Sequence, residues 1–117
     1  MGKLRLANVE ESRRYFMEDG DDTSDWIDLR AEITKKEASA LLRFAPRKED
    51  DLDGGLRFIE KAFSDLIMGW SVPIEPTAEN YNLLDAASAS WVDRTVGQHL
   101  RKVLGTEAEE AEGKQED

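Results

Sequence analysis

At 117 residues the chain is long enough for one modest core and too short for a catalytic domain plus a regulatory one. Its 26 acidic against 16 basic side chains give a formal charge of -10, which repels the phosphate backbone that DNA and RNA binders must neutralise, so no nucleic-acid partner is expected. The lack of cysteine excludes disulfides, thiolate metal sites and cysteine nucleophiles; no run approaches the ~20 apolar residues of a bilayer span, and residues 1–6 lack a signal peptide's apolar centre, so a soluble, cytoplasmic chain with no membrane partner is expected.

The first predicted elements are strands. Arg13-Arg14-Tyr15-Phe16-Met17 and Asp25-Trp26-Ile27-Asp28-Leu29-Arg30 are rich in aromatic and β-prone residues, and Ile27 and Leu29 alternate with Asp28 and Arg30. Between them, Glu18-Asp19-Gly20-Asp21-Asp22-Thr23-Ser24 supplies the glycine and aspartates of a reversing loop, which predicts a β-hairpin. A two-stranded hairpin is marginal in water, so one face must lie on helices or pair with another strand. Leu4, Leu6 and Val9 are the candidates for a third strand.

Helices follow. Thr34 and Glu37 form a capping box, each side chain satisfying a backbone donor of the first turn, and Ala38, Leu41, Leu42 and Ala45 give one apolar stripe that Pro46 ends. A second helix is predicted from between Asp50 and Asp53 to Met68 or Gly69. Its stripe is Leu52, Leu56, Ile59, Phe63, Leu66 and Trp70, with Asp53, Arg57, Glu60, Lys61 and Asp65 facing solvent. Alternating steps of four and three resemble a coiled-coil seam, which raises a homo-oligomer as the sharper alternative to a core-facing helix. After the loop Ser71-Val72-Pro73-Ile74-Glu75-Pro76, Thr77 caps a helical region with Tyr81 and Leu84 inward. Asp85 is placed to cap a last helix over residues 86–104, whose stripe is Trp91, Val92, Val96, Leu100, Val103 and Leu104 and whose stop is Gly105. The small, polar run Ala86-Ala87-Ser88-Ala89-Ser90 leaves a break near Asp85 open.

The expected fold is therefore α+β, mainly helical, with an N-terminal β-hairpin packed on three to four α-helices in a single domain of residues 1–105. Residues 106–117 carry six carboxylates against Lys114, half of the net charge, with no apolar side chain larger than alanine. Such a segment cannot bury enough surface to offset its ordering entropy and is expected to be a disordered acidic tail.

Little in the chain points to chemistry. Residues 49–60 approximate a calcium loop, with Asp51 and Asp53 at positions three and five, Gly54 at six, Leu56 at eight and Glu60 at twelve; Glu49 replaces the usual first aspartate, and Arg57 sets a cation beside the site. The competing reading is that these aspartates cap a helix and Glu60 lies on its wet face. His99, the single histidine, is expected to be a surface or half-buried residue of the last helix rather than a base or ligand. No serine elbow, HExxH or phosphate-binding glycine loop occurs, and the carboxylates are interleaved with lysines and arginines. No enzyme activity, cofactor or metal is expected.

The order of Asp25-Trp26-Ile27-Asp28-Leu29-Arg30, a capped helix, Leu66-Ile67-Met68-Gly69-Trp70-Ser71-Val72-Pro73, then Pro76-Thr77-Ala78-Glu79-Asn80-Tyr81 and a closing helix resembles the small tail assembly chaperones of long-tailed bacteriophages, particularly those infecting actinobacteria. The likeness covers most of residues 25–104 and rests on loose motifs. It implies a small, acidic, mostly helical, non-enzymatic protein of the host cell cytoplasm. Such a protein binds the tape measure protein, helps recruit tail tube protein around it, and is absent from the finished virion. Family members are often made in two lengths by ribosomal frameshifting; Gly113-Lys114 is a dipeptide that slippery codons can encode, and residues 106–117 would then be a linker in the longer product.

A client rich in amphipathic helices needs exposed apolar grooves. Phe63, Trp70, Tyr81 and Trp91 are the aromatic candidates for partner binding, although all four also fall on predicted core stripes. Two rival readings are a head-to-tail connector or other virion structural protein, and an acidic regulator or inhibitor that mimics DNA. The second needs negative charge on one face, whereas the acids here alternate with Lys35, Lys36, Arg43, Arg47, Lys48, Arg57 and Lys61.

Overall fold

The computed structural model describes residues 2, 4–48 and 50–105; the acidic segment 106–117 lies outside the described residues. Strands β1 (Ser12–Phe16) and β2 (Trp26–Arg30) form the expected antiparallel hairpin, with Arg14 opposite Asp28 and Tyr15 opposite Ile27. The connecting loop turns at Gly20, whose φ of 78° suits a residue without Cβ. Asp21 then accepts from the Thr23 backbone N–H at 2.9 Å, an Asx turn that shapes the approach to β2. On the outer face the Arg14 guanidinium donates to both carboxylate oxygens of Asp28 at 2.8 and 3.0 Å and lies 3.6 Å over the Trp26 ring.

The third strand is β3 (Ile67–Trp70), not the segment carrying Leu4, Leu6 and Val9, whose side chains are exposed. β3 pairs antiparallel with β2, placing β2 in the centre of the order β1-β2-β3, with a register shift between Asp28 and Leu29. Consequently helix α2 (Leu52–Leu66) ends earlier than its apolar spacing suggests. Ile67 turns to extended backbone at ψ 132°, and Trp70 enters the core from a strand rather than from a helix end. Gly69 is a poor helix former, and β2 offers a row of unpaired backbone groups, so completing the sheet outweighs one more helical turn.

Helix α1 (Lys35–Phe44) begins with the predicted capping box. Its Glu37 also receives the Arg30 guanidinium from the end of β2, which joins helix cap to sheet and lowers the Glu37 carboxyl to about 2, with the Thr34 backbone N–H adding to the effect. α2 starts at Asp51, whose carboxylate accepts from the Gly54 N–H at 2.9 Å. After the 71–76 loop, Thr77 caps the single turn α3 (Ala78–Tyr81), and Asp85 caps α4 (Ala86–Leu104), so the chain does break at Asp85. Gly105 ends α4 with φ 79°.

The core lies between the inner face of the sheet and α2, α3 and α4. Ile27 and Leu29 from β2 join Leu41, Ala62, Phe63, Leu66, Trp70, Tyr81, Val92, Val96 and Leu100, and Trp91, Val103 and Leu104 pack half-buried against them. Phe63 is the centre of an aromatic cluster, stacked on Tyr81 at 4.8 Å between centroids and tilted against Trp70 at 5.7 Å. Leu42, Leu52 and Leu56 of the predicted stripes are exposed, and Phe58 rather than Ile59 packs on the core from that turn of α2.

His99 is also placed differently from expectation. It is buried on α4 and binds across the core to the sheet: Nε2 lies 2.6 Å from the Arg30 carbonyl and Nδ1 2.6 Å from the Tyr15 hydroxyl. A carbonyl only accepts, so the neutral ring carries its proton on Nε2, and Nδ1 accepts from Tyr15. The sequence hides this because both partners are more than sixty residues away.

Two predictions follow from the packing. Phe63→Ala, which empties the centre of the aromatic cluster, is expected to lower stability by about 3–5 kcal/mol in urea unfolding, whereas Leu52→Ala on the same sequence stripe is expected to change it by less than about 0.5 kcal/mol. Burial holds the His99 imidazole below its ordinary 6.5, only partly opposed by its bond to the Arg30 carbonyl. The unfolded chain therefore binds that proton more readily, and stability declines as pH falls below 6.5, before Glu37 begins to be protonated below its own ordinary 4.5. Urea midpoints measured between about pH 7.5 and 5.5 are expected to show this slope in the parent chain and a flatter one in His99→Gln.

Candidate functional site

The aromatic side chains singled out by the sequence are drawn together, but inside the molecule. Phe63, Trp70 and Tyr81 are buried in one cluster, and Trp91 is half-buried against it. Two of them have internal polar partners: Trp70 Nε1 donates to the Ile74 carbonyl at 2.6 Å, and the Tyr81 hydroxyl donates to the Asp93 carboxylate. Burial, reinforced by that carboxylate, pushes the Tyr81 hydroxyl above its usual range. These residues hold the 71–76 loop and the α3 turn on the core rather than lining a surface.

The calcium-like segment has become a helix start. Asp53, Gly54, Leu56 and Glu60 are already in α2, so the side chains of positions five to twelve radiate around a helix instead of converging on one point. The Asp51 carboxylate is engaged by the Gly54 N–H, and Glu60 accepts from the Asn82 side chain at 2.9 Å. Among the described residues no group of three or more histidine, aspartate or glutamate side chains is gathered as a metal site would require; Glu49, the first position of the loop, lies outside them.

What the sequence reading passed over is the corner where α1 meets α2. Phe44 closes α1 and is half exposed, as is Leu56, while Leu52 in the first turn of α2 is 73% exposed. Pro46 and the half-buried Ile59 complete an apolar surface around Leu52 and Leu56, while the Phe44 ring lies 5.5 Å from the Lys61 ammonium. Two open depressions adjoin there. One, of about 510 Å³, is lined by Pro46, Arg47, Lys48, Asp51, Leu52, Gly55, Leu56 and Ile59; the other, of about 830 Å³, shares Pro46, Arg47, Lys48 and Asp51 and adds Arg43, Phe44, Ala45, Asp50, Gly54 and Arg57. A third depression continues from Phe44 and Arg57 to Lys61, Ser64 and Ala78.

Charged side chains of both signs rim these depressions: Arg47, Lys48 and Asp51 beside the leucines, with Arg43, Asp50 and Arg57 around the larger one. Exposed leucines beside charged side chains are suited to hold a chain segment by apolar contact. The signal was present as the run Arg43-Phe44-Ala45-Pro46-Arg47-Lys48 between two helices, the densest basic stretch of an acidic chain. A second apolar feature, the arm of Leu4 and Leu6, is tethered to Glu32 by the Arg5 guanidinium and by the Asn8 backbone N–H at 2.8 Å.

Groups with a clearly displaced pKa lie elsewhere in the fold. His99 and Tyr81 are buried, and the lowered carboxyls of Glu32 and Glu37 are held by Arg5 and Arg30. Among the described residues no helix is long and apolar enough to cross a membrane. No family model matches the chain, and neither a curated protein nor a solved structure does so.

The helix-start geometry gives a direct test of the calcium alternative. Asp51→Ala is expected to lower stability by about 1 kcal/mol through loss of the cap, equally with and without millimolar calcium. Calcium itself is expected to leave the Tm of the parent chain unchanged, since only a ligand that binds the folded state raises it.

Proposed function

We propose that the chain is a non-enzymatic polypeptide-binding protein, and within that class a tail assembly chaperone of a long-tailed bacteriophage. It works in the host cell cytoplasm, binding the tape measure protein and assisting assembly of tail tube protein around it. The observation that carries the reading is the exposed apolar surface of Leu52 and Leu56 on α2, completed by Pro46 and Ile59. Large apolar side chains grouped on the surface of an otherwise charged chain mark interaction sites, and helix-built surfaces take amphipathic helices.

The mainly helical α+β fold agrees with what the family resemblance implies, as do the small size and net charge of -10, which keep a complex with an aggregation-prone client in solution. No cofactor or metal enters this role.

Co-expression with the tape measure protein of the same phage tests it. The parent chain is expected to move that protein from the pellet to the soluble fraction and to co-purify with it. A folded Leu52→Glu/Leu56→Glu variant is expected to lose most of this effect, since truncating a central contact costs about 2 kcal/mol or more of binding. A client that stays insoluble beside abundant parent chain, or recovery of the chain from purified virions as a stoichiometric component, removes the chaperone assignment; the second result favours a connector.

A further inference from the structure

We propose that the free edge of β1 recognises itself: two copies of the chain pair β1 with β1, antiparallel about a two-fold axis at Ser12, and so join their sheets into one. The proposal does not rest on the reading of the chain as a polypeptide-binding protein.

β1 stands at the end of the order β1-β2-β3, so one of its edges meets no described strand. The Glu11 carbonyl accepts from the Ala31 N–H at 2.8 Å and the Met17 N–H donates to the Asp25 carbonyl at 2.7 Å, so the odd-numbered residues turn their backbone groups to β2. The N–H and carbonyl groups of Ser12, Arg14 and Phe16 therefore point away from the sheet, and Ser12, Arg13 and Arg14 are exposed. β1 contains neither proline nor a break in its register with β2, two of the devices that keep an edge from pairing.

A third such device is charge, and here its arrangement names the occupant. Residues 10–14 read Glu10-Glu11-Ser12-Arg13-Arg14, with opposite charges placed symmetrically about the serine. When the run lies antiparallel to its own copy with Ser12 at the axis, Glu11 faces Arg13 and Glu10 faces Arg14 on both sides. Outward backbone groups must meet outward backbone groups, so the neighbouring registers centre on Glu11 or on Arg13 and set like charges face to face. Only the Ser12 register answers every charge of the run. Arg13 and Glu11 make no ion pair among the described residues, and the charges beside them are engaged at home: Arg14 with Asp28, and Arg5, which Glu11 influences, with Glu32. In this register Ser12 donates and accepts across the axis, and the Arg14 N–H reaches the partner's Glu10 carbonyl. The Glu10 N–H itself stays with the Asn8 side chain, 3.1 Å away.

Two other occupants fit less well. The opposite edge, β3, reads Ile67-Met68-Gly69-Trp70 and offers no charge to Glu11 or Arg13; pairing β1 with β3 of another copy is also head-to-tail and would run on into a filament. A strand of a different protein meets the backbone of the edge equally well, but only the chain's own run is bound to carry the matching reversal of charge.

Sedimentation velocity of the full chain from about 10 μM to about 1 mM tests the proposal, a range suited to the weak association of a small interface. A reversible dimer is expected at the upper end. Glu11→Arg alone and Arg13→Glu alone are each expected to weaken it at least about tenfold, since each sets like charges opposite on both sides of the axis. An equimolar mixture of the two is expected to restore it, because each then supplies the charge that the other lacks. Ser12→Pro, which removes an outward N–H at the first residue of the strand, is expected to abolish the dimer with a urea midpoint close to that of the parent. In this cysteine-free chain Ser12→Cys is expected to give a disulfide-linked dimer on mild oxidation, whereas Phe16→Cys, whose two copies would stand about 27 Å apart along the strands, is expected to give none. A parent chain that stays monomeric at about 1 mM overturns the proposal, as does growth past the dimer or a mixture of the charge variants that stays monomeric. A dimer that survives Ser12→Pro, or that Leu52→Glu/Leu56→Glu dissolves, also overturns it, because the contact then lies elsewhere. The co-expression assay has a different readout, so the chaperone assignment and this proposal can each fail without the other.

Discussion

The fold depends on β2 having a partner on each edge and a covered face. A hairpin alone exposes one row of backbone donors and acceptors and one row of apolar side chains, and neither is stable in water. The chain meets the first need with a covalent connection, since α2 becomes β3 at Ile67 without a loop, and α4 packs on β2. The end of α2 is therefore fixed by the strand that follows it, and Phe63 and Leu66 join Ile27 and Leu29 in the core. α1, α3 and α4 all pack on α2.

Polar contacts then fix how the layers are oriented. Hydrophobic contact is non-directional, so it does not by itself decide how α4 lies on the sheet. His99 removes that freedom by binding β1 through Tyr15 and β2 through the Arg30 carbonyl, in a dry setting where an unmatched polar atom is costly. Arg30 ties the same strand to the first turn of α1 through Glu37. One short stretch of β2 thus sets the placement of two helices.

The parts of this architecture that were legible from sequence are those written in local chemistry. The Thr34 and Glu37 box, the Thr77 and Asp85 caps and the Gly105 stop each depend on residues within four positions of one another, the hairpin on two short alternating runs and the loop between them, and each appears where its chemistry puts it. What was not legible depends on distant contact. The spacing of Leu52, Leu56, Ile59, Phe63, Leu66 and Trp70 describes one helical face, but nothing local says that the face is covered only from Phe63 onward or that residues 67–70 leave the helix to meet β2. The alternation of inward Trp70 with outward Met68 was a weak strand signal within a stronger helical one. The same limit explains the candidate site. Large aromatics were sought as binding residues and proved to be the core, while the surface that remains was recorded only as leucines on a stripe and as cations scattered among acids.

The N-terminal arm and the end of α4 share one depression, lined by residues 4–7 on one side and by Lys102 and Val103 on the other, with Arg5 fastened to Glu32 nearby. The two ends of the described chain are thus neighbours in space. Joining them with a short glycine-serine bridge and opening the polypeptide at the solvent-exposed 18–23 turn would leave every core contact intact, which makes the domain a natural subject for circular permutation. A dye at residue 4 or residue 102 would sit on the same depression, and none of the residues of the α1–α2 corner lines it.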